Sequence, residues 1–309
     1  MPYPAATPIY YEMGVKGLYT YLRSYRRDVF THTIPTQPKL RIGFDAMSML
    51  YKYKSAFAEI YPLLKDLQEA GHTLLFIFDG KTPVEKEAEV KDRRDVREGA
   101  VTQAASLKEH LKSTTITVKE RQIIEYSIAR LEYQGWHMTR DIRHAFQETL
   151  AAMGIPYMKA IQEADDVLTD LAAANKLDVI VSTDMDYLLS GIQRLWIPFR
   201  KYQDGFEEII LSEVLDGEGM TQASFTDAGI LCGVEPLRGR LSVNSNAAFT
   251  WMRHYKTIEE LASSSVNEPQ LAGIMADLPS ARAHFGSKPW ETRIRPDHLE
   301  KCKSFLDAL

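Results

Sequence analysis

Short, almost wholly apolar runs alternate along this chain with segments of helical periodicity. The first run, Leu40-Arg41-Ile42-Gly43-Phe44, stops at Asp45, and the second, Leu74-Leu75-Phe76-Ile77-Phe78, stops at Asp79-Gly80. A third, Leu177-Asp178-Val179-Ile180-Val181-Ser182, leads into Asp184-Met185-Asp186, and Arg194 to Phe199 gives a fourth, weaker strand signal. From Gly14 the spacing of Leu18 and Leu22 predicts a helix, and further helices are predicted over Ala56 to Ala70, ending at Gly71, and from about Glu163 to Asn175. Residues 84–148 read as a long, highly charged helical region interrupted at Gly99 and at the β-branched cluster Thr114 to Val118. From about Ser224 the chain is mostly helical, with a loop at Ser263 to Pro269. Apolar runs set between helices predict an α/β fold, with a central, mostly parallel, twisted sheet flanked by helices on both faces. Ligands of such sheets bind beyond the carboxyl ends of the strands.

Three of the runs end in aspartate at that edge. Asp45, Asp79, Asp184 and Asp186 are therefore expected to converge on one rim, with Glu163 and Asp165 bordering it at the start of the helix that feeds the third strand. One aspartate after a strand is a common turn or cap residue. Aspartates after three strands, together with Glu163-Ala164-Asp165, form a cluster that would repel itself unless protonated or neutralised by cations. All-oxygen donors favour Mg²⁺ or Mn²⁺. The eight histidines are scattered and there are two cysteines, Cys232 and Cys302, which excludes a cysteine zinc site and a disulfide framework. Gly80-Lys81-Thr82 looks like the tail of a phosphate-binding loop, but the glycine required five residues earlier is Leu75.

A basic stretch follows the second run. Lys86, Arg93 and Arg97 recur at seven and four residues, which places them on one helical face, with Lys91 and Arg94 close by. A mixed-charge stretch is usually a solvated helix face. Next to an acidic, metal-holding rim, however, cations of this kind would grip a phosphate and stabilise charge developing on it. Tyr51, one or two turns beyond Asp45, is placed to stack a nucleobase.

The 309 residues, 45% hydrophobic and 26% charged, have the composition of a soluble globular protein, and no apolar run is long enough to span a membrane. The first residues lack the features of a signal peptide, so an intracellular location is expected. A net charge of −5 argues, taken alone, against a polyanionic partner.

Met13-Gly14-Val15-Lys16-Gly17-Leu18 resembles the opening of the flap endonuclease/XPG family of structure-specific 5′ nucleases, within the PIN-like nuclease superfamily. Phe44-Asp45-Ala46-Met47-Ser48-Met49-Leu50-Tyr51, Phe78-Asp79-Gly80-Lys81-Thr82-Pro83, Gly154-Ile155-Pro156-Tyr157 with Glu163-Ala164-Asp165, and Thr183-Asp184-Met185-Asp186-Tyr187-Leu188 resemble its successive metal-ligand motifs, in order. The resemblance implies that Asp45, Asp79, Glu163, Asp165, Asp184 and Asp186 hold two Mg²⁺ ions, for which Mn²⁺ can substitute. It also implies that Lys86 and Arg93 engage the scissile phosphate, that Tyr51 stacks a base, and that Lys16, Arg94 and Arg97 contact nucleic acid.

Further implications concern domains and substrate. An irregular arm, 1–12, would precede a PIN-like nuclease core, 13–223, whose residues 84–140 form a helical gateway and arch. A helical DNA-binding region, 224–309, would carry a helix–two-turn–helix segment at about 224–262. The implied activity is metal-dependent hydrolysis of phosphodiester bonds in flapped or branched DNA during replication, repair or recombination. It would leave 5′-phosphate ends, and would act in the nucleus if the source is eukaryotic. A same-fold endoribonuclease acting on messenger RNA and a catalytically silent binding scaffold are the alternatives.

The sequence departs from the family pattern in several places. Asp165 stands where the family has glutamate. Glu235-Pro236 replaces Asp-Tyr, leaving Glu235 as a seventh candidate carboxylate, and Ser242-Val243-Asn244 replaces a Gly-x-Gly loop, which predicts a weaker hold on potassium and duplex. The C-terminus, Lys301 to Leu309, lacks a sliding-clamp motif. Setting aside the seven carboxylates turns the charge balance from −5 to +2, which makes a phosphodiester substrate compatible with the acidic composition.

Overall fold

A computed structural model describes residues 15, 17–33, 39–54, 60–83, 86–113, 116–199, 205–234, 237, 240–264 and 269–309. It divides the chain into two compact units, Met1–Gly80 with Ile155–Leu309, and Lys81–Gly154.

The larger unit opens with α1 (Leu18–Tyr25), β1 (Phe30–Thr33), β2 (Arg41–Asp45), α2 (Ala46–Tyr53), α3 (Ile60–Glu69) and β3 (Thr73–Phe78). The smaller unit supplies α4 (Glu87–Ser113), α5 (Val118–Gly135) and α6 (Arg140–Ala152). The larger unit resumes with β4 (Tyr157–Lys159), α7 (Ala164–Ala173), β5 (Val179–Val181), α8 (Asp186–Leu189), β6 (Arg194–Pro198), β7 (Phe206–Ile210) and α9 (Leu211–Glu218). It closes with α10 (Gln222–Gly233), α11 (Ser245–Tyr255), α12 (Ile258–Ala262), α13 (Pro269–Ile274), α14 (Leu278–His284) and α15 (Pro296–Ala308).

The seven strands run in the order β1-β7-β6-β5-β2-β3-β4. Strands β6, β5, β2, β3 and β4 are mutually parallel, while β7 and β1 join one edge antiparallel. The chain winds outward from β2 through β3 to β4, then returns to β5 and winds the other way. The switch point, where a doubly wound sheet opens its crevice, therefore lies between β2 and β5.

Both faces of the central strands are covered. Phe44 stacks on Phe76 on one face, with ring centroids 4.5 Å apart. On the other face Gly43 admits Leu168 and Leu177, which would stand 2.7 and 2.6 Å from any Cβ placed there. A side chain at residue 43 would have to displace both leucine side chains.

The three apolar runs and the Arg194 segment are strands as expected. Strands β1, β4 and β7 are additions that the pattern did not reveal. In β7 the apolar run is broken by Glu207 and Glu208, both buried. Each has a partner: Glu207 takes Arg23 and Tyr19, and Glu208 takes Arg194 and the Trp196 indole at 2.7 and 2.8 Å.

In the smaller unit α4 passes straight through Gly99, so the expected break there does not occur; a single glycine costs a long helix only about 1 kcal/mol. Helix α4 ends at Ser113 and α5 starts at Val118, where Thr117 and Glu120 form a reciprocal capping box, and α6 starts afresh with a cap from Thr139; Thr114 and Thr115 lie outside the described residues. Gly135 lets α5 approach α4, since a Cβ there would meet Val101 at 2.7 Å.

Candidate active site

Asp45 is the last residue of β2 and the N-cap of α2. One carboxylate oxygen accepts the Ser48 amide at 2.9 Å and the other accepts the Ser182 hydroxyl at 3.0 Å. Ser182 follows Val181, the register partner of Phe44 on the neighbouring strand, so the parallel pairing itself brings the two residues together. Ser182 Oγ in turn accepts the Asp184 amide at 3.1 Å, and Asp184 Oδ1 accepts the Asp186 amide at 2.9 Å. Asp186 Oδ1 accepts the Val15 amide at 2.6 Å, which ties the start of the described chain to the same rim.

Asp79 enters from β3. Its Oδ1 accepts the Ala164 amide at 2.9 Å, at the N-terminus of α7, where Glu163 is the N-cap and Asp165 lies in the first turn. Gly80 makes this approach possible, because a Cβ there would fall 2.2 Å from the Ala160 carbonyl oxygen and 2.3 Å from that of Ile161.

The electrostatics follow from this crowding. Asp45 is buried, and burial first, then the charges of Asp79, Asp165 and Asp184, push its carboxyl well above the ordinary carboxylate range, against the pull of the Ser48 amide. Carboxylates from the end of β3, from the β5–α8 connection and from the first turn of α7 thus act on Asp45 at the end of β2. Among the described residues, no three Asp, Glu, His or Cys side chains close into a finished coordination set. The donor chemistry nonetheless fits a hard divalent cation: the candidate donors are carboxylate oxygens, with no thiolate or imidazole among them.

Behind the rim, Arg293 pairs with Asp166 and, at 2.8 Å, with Asp170, occupying the two carboxylates of α7 that follow Asp165. The residues around Arg293 are stitched to the β4–α7 connection by the Ile161 amide on the Arg293 carbonyl at 2.7 Å and the Arg295 amide on that of Lys159 at 3.1 Å.

Residues 154–235, spanning Glu163, Asp165, Asp184 and Asp186, match the family model described as the XPG I-region. Beyond that segment, the chain is 28% identical over 316 aligned positions to flap endonuclease 1 of Uncinocarpus reesii, covering 93% of this chain and 75% of that one. Both matches point to the flap endonuclease/XPG family. Its fold is similar to the catalytic core of Rad2, solved with a DNA substrate, at a TM-score of 0.58 and 16% identity over 94% of both chains. It is also similar to flap endonuclease-1 of Methanococcus jannaschii, at 0.54 and 20% over 84% of this chain and 82% of that one.

The other residues expected from the flap endonuclease/XPG resemblance fall in different places. Tyr51 is half-buried on α2. Lys86 immediately precedes α4, while Arg93, Arg94 and Arg97 lie on it, and Arg94 pairs with Glu98 at 3.5 Å. These four basic residues belong to the Lys81–Gly154 unit. Lys16 and Glu235 lie outside the described residues, as does the 1–12 arm. In the loop between α10 and α11, the Val243 amide donates to the Leu231 carbonyl at 2.8 Å and Asn244 caps the next helix.

Sequence reasoning missed Ser48, Ser182 and Arg293. Ser48, three residues after the N-cap aspartate, carried a recognisable capping spacing. Arg293, more than a hundred residues from α7, carried no local signal.

Proposed function

We propose that this chain is a metal-dependent, structure-specific 5′ nuclease that hydrolyses phosphodiester bonds in flapped or branched DNA. The observation that carries the reading is the buried Asp45 at the switch point of the sheet, with the charges of Asp79, Asp165 and Asp184 acting on it. In this reading these four residues, with Glu163 and Asp186, hold two Mg²⁺ ions, and Mn²⁺ substitutes. Bound Mg²⁺ supplies activation of water and stabilisation of charge on the phosphate. Lys86 and Arg93 bind the scissile phosphate, Tyr51 stacks the adjacent base, and Lys16, Arg94 and Arg97 follow the backbone. Glu235 is the remaining candidate ligand.

The domain reading belongs to the same proposal. Residues 84–140 act as the gateway and arch, 13–223 as the nuclease core, and 224–309, with α10 and α11 as the helix–two-turn–helix pair, contact the duplex. Products carry 5′-phosphate and 3′-hydroxyl ends. Retention of the acidic residues of all four motifs speaks against a silent scaffold. The similarity to eukaryotic relatives supports nuclear action.

The test is cleavage of a 5′-flapped duplex and of single-stranded RNA in Mg²⁺ by the wild type, Asp79→Ala and Asp184→Ala. We expect the wild type to cut the flap in preference to RNA, and both variants to lose cutting while still binding DNA. Undiminished Mg²⁺-dependent cutting by both variants would remove the assignment.

A further inference from the structure

Tyr187 follows Asp186 in α8 and is 1% exposed. Its hydroxyl oxygen is sealed from solvent and has no hydrogen-bond partner among the described residues. With Asp165, Asp186 and Arg293 it lines a cavity of about 20 Å³ behind the rim, room for about one water molecule. Its phenol lies within the field of Asp45, Asp165, Asp184 and Asp79. Arg293, the nearest fixed cation of that cavity, is occupied by Asp166 and Asp170.

An orphaned buried hydroxyl is rare, and phenylalanine would fill the same volume without one. A tyrosine is protonated at neutral pH, so among carboxylates this hydroxyl acts as a donor. The carboxylates beside it are acceptors, yet none of the described ones is within bonding geometry. The partner it fits is therefore something that enters the pocket with the cation these carboxylates attract.

We propose that Tyr187 is a positioning residue of the metal site, whose hydroxyl donates a hydrogen bond into the hydration shell of a divalent cation held by Asp165 and Asp186, which line its cavity, together with the other carboxylates of the rim. The inference rests on the metal-site reading above. Donors of this type fix the orientation of the groups around an ion, and losing one typically lowers metal affinity about 10- to 100-fold.

The experiment compares wild type and Tyr187→Phe, using Mn²⁺ binding by calorimetry and thermal unfolding in EDTA. We expect the variant to melt in EDTA at or above the wild-type temperature, because a stranded hydroxyl has been removed, and to bind Mn²⁺ about tenfold more weakly. A purely packing role would leave Mn²⁺ affinity unmoved. Wild-type binding matched by the variant to within about twofold would overturn the role of Tyr187 and leave the site reading standing. A variant that melts lower in EDTA would mean the hydroxyl already has a partner in the metal-free protein, and would also overturn it. Failure of the wild type itself to bind Mn²⁺ would overturn both.

Discussion

Asp79 accepts the Ala164 amide at 2.9 Å, so a carboxylate at the end of one strand caps the helix that carries Glu163 and Asp165. Two motifs 85 residues apart are fixed by a single charge-assisted bond, which also places the negative carboxylate at the positive end of α7.

Gly80→Ala tests this contact by steric means. The new Cβ would lie 2.2 Å from the Ala160 oxygen, a backbone atom that cannot swing aside. The expected outcome is a loss of about 3 kcal/mol in urea unfolding, with cleavage reduced in step as Asp79 is pushed from α7.

Ser182→Ala removes a hydroxyl that donates to Asp45 and accepts from the Asp184 amide. Asp45 loses a buried bond and the Asp184 amide a partly buried one, at a cost of about 1–3 kcal/mol. Because these are two of the proposed metal carboxylates, cleavage at limiting Mg²⁺ should fall about tenfold or more, with partial recovery at high Mg²⁺.

Arg293→Met leaves Asp166 and the buried Asp170 without their cation. Breaking a largely buried ion pair from one side destabilises by about 3 kcal/mol, to be read by chemical denaturation. Adding Asp166→Asn and Asp170→Asn to the same variant should restore most of that loss, since no unpaired charge remains.

The metal-free protein should be less stable at neutral than at mildly acidic pH. Asp45 has its carboxyl raised by burial and by Asp79, Asp165 and Asp184, whereas an unfolded aspartate titrates near ~3.9. From about pH 4 up to the raised native value the folded state holds the extra proton, so stability falls as pH rises through that window. In EDTA the melting temperature should drop as the pH is raised above about 4, and Asp45→Asn should flatten the drop. An Asp45→Asn profile as steep as the wild type would place the proton elsewhere.

Gly99→Ala is predicted to act in the opposite sense. The glycine sits inside α4 with no atom within 4 Å of its missing Cβ. Alanine there should stabilise the helix by about 0.5–1 kcal/mol in thermal unfolding and leave metal binding unchanged.

The amino-acid sequence alone determined the central strands, because a strand buried on both faces is apolar over most of its length, as Ile42–Phe44, Leu74–Phe78 and Val179–Val181 are. It also placed Asp45, Asp79 and Asp184 at their carboxyl ends, since the residue after such a run is the first that can be polar. It did not yield β1 and β7, where Glu207 and Glu208 satisfy their charges through Arg23 and Arg194, partners that only the folded chain brings near. Nor did it reveal Ser182 as the link between two aspartates, Arg293 as the cation behind α7, or Tyr187 as a phenol stranded among carboxylates. Those depend on strand order and on contacts across more than a hundred residues, whereas hydrophobic periodicity reports only what lies within a turn or two along the chain.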